Sequence, residues 1–184
     1  MILWNQSVFL ENLFKEYKIS CRTAMPDSLN TPHIGTAKMV LIPAGFLSEY
    51  ADSDFKSSLF KEKTVKKLLA FVENGGKLLI FSPLKDSDFS WLNCGFPIFY
   101  RKEDITVSKK TQLVNQDEFF CDGFFEIPGN LTKFPLSVIE TDNSNRPVHI
   151  SISFGKGEII LSSIHEFLSK EYFESVLAHP EVKI

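Results

Sequence analysis

The residue types able to do chemistry are few and scattered along this chain. Three cysteines, Cys21, Cys94 and Cys121, are an odd number without a C-x-x-C spacing, which argues against a disulfide framework and a zinc knuckle and implies reduced thiols. Of these, Cys94 and Cys121 are the thiols available as nucleophiles. Among four histidines, His33 falls in a turn-rich loop and His149 alternates out of the apolar face of its strand, so both read as surface residues, and no pair has metal-ligand spacing. His165 and Glu166 follow an apolar run, while Asp86 and Asp88 follow another. Two aspartates near a strand or helix end could hold a divalent metal or a sugar hydroxyl, although a solvated loop is the plainer reading. His179-Pro180-Glu181 reads as a helix stop, because Pro180 cannot continue a helix and His179 is an ordinary last-turn cation.

Composition narrows the classes these residues could serve. At 184 residues and 43% hydrophobic content, the chain suits one domain, 1–184, with a well-formed core, and no linker, repeat or low-complexity segment marks a boundary. Twenty Lys and Arg against 23 Asp and Glu give a net charge of −3, the wrong sign for a protein that tracks a nucleic-acid backbone. The lysines between Lys56 and Lys67 run into a helix and read as its solvated face. The start, Met1-Ile2-Leu3-Trp4, turns polar at Asn5, and no apolar run approaches membrane-spanning length, so a cytoplasmic location away from membranes is expected.

The elements that must position these groups are legible from hydrophobic period. Met1 to Trp4 reads as a buried strand, followed by a helix with Leu10, Leu13, Phe14 and Tyr17 on its apolar face. Ile19, Cys21 and Thr23 alternate as in a half-buried strand, and Lys38 to Ile42 is an apolar strand stopped at Pro43-Ala44-Gly45. Val65, Leu68, Leu69 and Val72 recur at helical spacing, Asn74-Gly75-Gly76 ends that helix, and Leu78 to Phe81 is a fully apolar strand. Strand, helix and strand predict a right-handed parallel crossover. Beyond it, Pro97 to Tyr100, Thr111 to Val114, Phe119 to Ile127 and Leu136 to Glu140 are short β-rich runs. Val148, Ile150, Ile152 and Phe154 alternate, turn at Gly155-Lys156-Gly157 and enter Ile159 to Leu161, which predicts an antiparallel hairpin; Phe167 to Leu177 closes as a helix.

Three segments in this order resemble the class I glutamine amidotransferase-like superfamily: Lys38 to Gly45, Leu68 to Phe81 (LLAFVENGGKLLIF) and Phe154 to His165 (FGKGEIILSSIH). They cover about a third of the chain. The resemblance implies a three-layer flavodoxin-like α/β fold with a mainly parallel sheet and β-rich antiparallel additions in the second half. Active members place a cysteine on a sharp turn after the Gly-Gly strand and a His-x-Glu pair after the later strand. The position matching that cysteine is Ser82, and His165 matches the histidine. The neighbours imply a catalytically degenerate member. Pro83 has no N–H to offer an oxyanion, a loss of about 2.7–4 kcal/mol of transition-state stabilisation. Ile80 and Leu84 stand where a nucleophile elbow needs small residues, and His165-Glu166 lacks the intervening residue that would bring a carboxylate to the imidazole.

In open parallel sheets ligands collect at the carboxyl ends of the strands, where Gly45, Ser82, Asp86, Asp88, His165 and Glu166 are expected to gather. The leading expectation is a non-catalytic binding or assembly domain; inactive members such as the middle domain of some β-galactosidases serve in oligomer contacts. A homo-oligomer, a protein partner or a small polar ligand are the partners this leaves open. Phe119-Phe120 and Phe124-Phe125 could supply a contact, with burial in the core of the β-rich half as the plainer reading. The alternative is a hydrolase or amidotransferase using Ser82 or a cysteine with His165. No cofactor is expected, since the first strand-to-helix turn, Trp4-Asn5-Gln6-Ser7, has no glycine for a phosphate.

Overall fold

The structure is a computed structural model that describes residues 2–4, 8–24, 37–42, 62–81, 83, 87, 89–127, 135–165 and 168–178. The elements in chain order are β1 (Ile2–Trp4), α1 (Val8–Glu16), β2 (Arg22–Ala24), β3 (Met39–Ile42), α2 (Glu62–Glu73), β4 (Lys77–Phe81), β5 (Phe99–Val107), β6 (Phe119–Glu126), β7 (Leu136–Thr141), β8 (Pro147–Phe154), β9 (Gly157–Ser162) and α3 (Lys170–Leu177). A seven-stranded mixed sheet runs β2-β1-β3-β4-β9-β8-β7, and β5 with β6 forms a separate two-stranded ribbon.

The sheet is mixed because its two halves are connected differently. A helix between β3 and β4 carries the chain back to the starting end, so these strands pair in parallel, Val40 with Leu78 and Ile42 with Ile80. β9 extends that parallel set beside β4, with Leu78 opposite Ile159 and Phe81 opposite Ser162. β8 and β9 are joined only by Gly155 and Lys156, which forces an antiparallel pair with Ile150 opposite Leu161. Gly155 sits at φ +61°, and a Cβ there would lie 2.7 Å from the Cα and O of Glu73. The turn is pressed on the end of α2, where Lys156 N–H donates to Glu73 O at 2.9 Å, so only glycine meets both demands.

Alternation then decides which residues go to which side. Val40, Ile42, Leu78, Ile80, Ile159 and Leu161 face one core with Leu68 and Val72 of α2. Met39, Leu41, Leu79, Phe81 and Ile160 face the other, closed by Leu10 and Phe14 of α1 and Phe173 of α3. Phe14 and Phe173 meet edge to face at 5.0 Å, which locks the two helices together. Ser169 caps α3, its hydroxyl accepting from Tyr172 N–H at 3.1 Å.

Four sequence expectations shift. The strand expected over Ile19 to Thr23 begins only at Arg22. Thr111 to Val114 is not a strand: Leu113 N–H turns back to Thr111 Oγ1, and Leu113 O accepts from Ser169 N–H, so this segment braces the start of α3 while Leu113 and Val114 stay buried. β5 runs to Val107 rather than ending at Tyr100, because Arg101 to Asp104 lie exposed on the ribbon and carry no apolar alternation. The last helix starts at Lys170; Phe167 lies outside the described residues.

Candidate functional site

Of the six residues expected at the carboxyl ends of the strands, Gly45, Ser82, Asp86, Asp88 and Glu166 lie outside the described residues, and His165 is placed. His165 follows β9 beyond Ser162, in a stretch stitched to β6 by main-chain bonds. Asp122 N–H donates to Ser163 O at 2.8 Å, His165 N–H donates to Phe120 O at 2.8 Å, and Cys121 bridges Ile164 in antiparallel sense. Ser163 is spent structurally, its buried hydroxyl lying 2.6 Å from Gly123 O and 3.0 Å from Val148 O.

This stitching brings Asp122 to the imidazole. His165 Nδ1 lies 3.2 Å from both carboxylate oxygens of Asp122, so Nδ1–H donates to the carboxylate and Nε2 is the nitrogen left for other contacts. The missing carboxylate, expected to be unreachable from Glu166, comes from a residue 43 positions earlier on β6. Its signal in the sequence was slight: Asp122 is the polar member of the outward set Phe120, Asp122 and Phe124. The His165 side chain is 68% exposed, so the pair works in high dielectric and holds the ring rather than much energy.

His149 overturns the surface expectation, being fully buried. Its alternation does leave the first apolar face, but the other side of the sheet is also a core, covered by α3. Nε2 lies 2.9 Å from Tyr172 Oη, and Nδ1 has no hydrogen-bond partner among the described residues. Burial pushes its pKa down to about 4, only partly opposed by Glu140 and Glu158, so the ring is neutral at pH 7.

The thiols are poorly placed as nucleophiles. Burial pushes both Cys94 and Cys21 up from their ordinary values, and Cys121 is buried on the inward side of β6. Phe119 and Phe125 are core residues too, whereas Phe120 is 51% exposed and Phe124 is half-buried under the Arg146 guanidinium, 4.3 Å from its ring centre. The run FFCDGFF is therefore split by alternation between core and surface.

Among the described residues, cavities also lie away from His165. One of about 560 Å³ lies at the amino ends of β3, β4 and β9, lined by Lys38, Lys77, Lys156 and Glu158, with Lys77 Nζ 2.8 Å from Glu158 Oε2 and Lys38 Nζ donating to Leu177 O at the end of α3. Another, about 650 Å³, lies by Cys94, Phe96 and Tyr100. Among the described residues no three His, Cys, Asp or Glu side chains group as metal ligands, and no helix is long and apolar enough to cross a membrane.

No family model and no curated protein matches the sequence. Solved structures do match in fold. A β-galactosidase from Bacillus circulans sp. alkalophilus superposes at a TM-score of 0.56 and 11% identity over 96% of this chain and 30% of that one. Cytoplasmic Protein STM3548 from Salmonella typhimurium gives 0.56 and 12% over 91% and 87%, and the mmIFT52 N-terminal domain 0.56 and 10% over 100% and 99%. The expected membership of the class I glutamine amidotransferase-like superfamily is corrected by this outcome: the structures matched include glycosidases, cytoplasmic proteins and an IFT52 domain, and the histidine's carboxylate arrives from β6 rather than from its own strand. The chain spans about 30% of the length of the glycosidases, at identities that establish likeness of fold alone: a mixed α/β sheet shared with part of those enzymes and with nearly the whole of two smaller proteins.

Proposed function

We propose that this chain is a non-catalytic binding or assembly domain that works through the β5–β6 ribbon. The observation that carries the reading is the ribbon's exposed face. Phe99 is 55% and Phe120 51% exposed, two of the three large hydrophobic side chains that stand out in this way among the described residues, and both lie on this one small sheet. Phe99 pairs with Glu126 at one end of the ribbon and Phe120 with Thr106 at the other, so an exposed aromatic stands at each end of the outward face, and such aromatics suit an interface. The IFT52 domain, similar over the full chain, and the 30% share of the glycosidases support a module that serves a larger assembly, and helices against both sheet faces support a flavodoxin-like layering. Light scattering over a concentration series tests the reading. The expected result is a mass above that of one chain, returning to one chain in Phe99→Ser/Phe120→Ser; a single-chain mass throughout, or association indifferent to that double variant, overturns it.

A second reading, a hydrolase using Ser82 or a cysteine with His165, is favoured by one observation, the Asp122 carboxylate that orients the His165 ring. Against it stand Pro83, which has no N–H for an oxyanion, and thiols raised by burial. Fluorophosphonate and iodoacetamide labelling at neutral pH separates the two. Rapid labelling of one site, lost in His165→Ala, would establish the enzyme; slow labelling that becomes fast only on unfolding supports the binding domain.

A further inference from the structure

We propose that the partner of the ribbon is a second copy of this chain, joined edge to edge through β5 about a two-fold axis between Lys102 and Glu103. This rests on the assembly reading above and adds its occupant and geometry.

β5 is a nine-residue strand whose only strand partner among the described residues is β6, so its other edge carries main-chain groups able to pair with a further strand. Edge strands avoid such pairing most simply with charges of one sign, which repel any copy of themselves. β5 does the opposite. Its exposed centre reads Arg101-Lys102-Glu103-Asp104, two cations followed by two anions. When this strand is laid antiparallel to itself about the midpoint of that charged run, Arg101 faces Asp104 of the second copy and Lys102 faces Glu103 of the second copy. The two-fold repeats both pairs, so all four charges of each chain meet their opposites.

The same alignment satisfies the faces. Tyr100 falls opposite Ile105 of the second copy, and both belong to the buried side of β5. Phe99 falls opposite Thr106 of the second copy, and Thr106 is itself paired with Phe120 across the ribbon, so the exposed phenylalanines of the two chains share one row on the outer side. A one-residue slip would lose both matches together, because side chains alternate, and a two-residue slip would lose the charge match. The ribbon's one irregularity lies between Lys102 and Ile105, so the two bulges would flank the axis and answer each other. Arg101 and Glu103 also pair within the chain, to Glu126 and Arg146, so the dimer would join these pairs into networks. The contact that would be exchanged is Asn143 Nδ2 donating to Thr106 O at 3.1 Å.

Charge complementation tests the geometry. Arg101→Glu/Lys102→Glu makes the run wholly acidic, and Glu103→Lys/Asp104→Lys makes it wholly basic. Each variant alone, folded by circular dichroism, is expected to self-associate about thirty-fold or more weakly than the natural chain, since four attractive pairs turn repulsive. An equimolar mixture of the two is expected to recover dimers containing one chain of each kind. If the natural chain associates and Phe99→Ser/Phe120→Ser weakens it, but neither charge variant does, the ribbon remains the contact and the edge pairing is wrong. If the natural chain never associates, the assembly reading fails first and this inference with it.

Discussion

Replacing the buried histidine should change how stability depends on pH, by an amount the structure sets. His149 is fully enclosed beneath α3, with Nε2 against Tyr172 Oη and a pKa pushed from its ordinary 6.5 to about 4 by burial, Glu140 and Glu158 acting weakly the other way. Unfolding releases the ring to water, where it binds a proton near pH 6.5. Between those two values the unfolded chain binds more protons than the folded one, so stability rises with pH and is lost as pH falls from about 6.5 towards 4. The full difference of about 2.5 units corresponds to about 3 kcal/mol, of which about 2 kcal/mol is already gone near pH 5. Urea unfolding of the natural chain and of His149→Gln, followed from pH 7 to pH 4.5, isolates this contribution from the other histidines, which both chains share. The natural chain should lose about 2 kcal/mol more than the variant across that window. Parallel stability curves would mean that the ring is not buried neutral in the folded protein, and the placement of α3 over β8 would fall with it.

Three other perturbations address different parts of the fold. Gly155→Ala places a Cβ 2.7 Å from Glu73 main-chain atoms at a left-handed backbone position, and should cost about 2 kcal/mol or more by thermal unfolding, whereas Gly95→Ala, with nothing within 4 Å, should cost only its backbone strain of about 1–2 kcal/mol. Asp142 would be raised by its burial, but hydrogen bonds from Arg146 and Ser144 outweigh this and hold it below the usual carboxylate range; Asp142→Ala leaves those main-chain donors unpaired and should cost about 2 kcal/mol at pH 7. That contribution is present above the ordinary aspartate pKa and disappears as pH falls through the depressed one, so the two proteins should converge in stability in acid. Cys94, raised by burial, should react with iodoacetamide at pH 7.5 more slowly than a model thiol, as read by intact mass; faster reaction would contradict its placement.

The sequence by itself determined the elements whose period is unbroken and whose ends carry glycine or a short turn. α2 and β4 were legible from Val65, Leu68, Leu69 and Val72 and from LLIF, because a helix against a parallel sheet must bury one stripe and two strand faces. The β8–β9 hairpin followed from its alternation and its Gly155-Lys156-Gly157 turn, of which Gly157 already belongs to β9. What stayed hidden depended on contacts between distant segments. The outward side of His149 could not be read as core, because alternation reports that a residue changes face and is silent on whether a helix covers that face. Asp122 could not be matched to His165, since the 43 residues between them close only when β6 is stitched to the stretch after β9. The full length of β5 was masked by its own charges, for an edge strand needs no apolar alternation where its side chains meet water. Local periodicity is a property of neighbours in the chain, whereas a site and an interface are made by residues that only folding brings together.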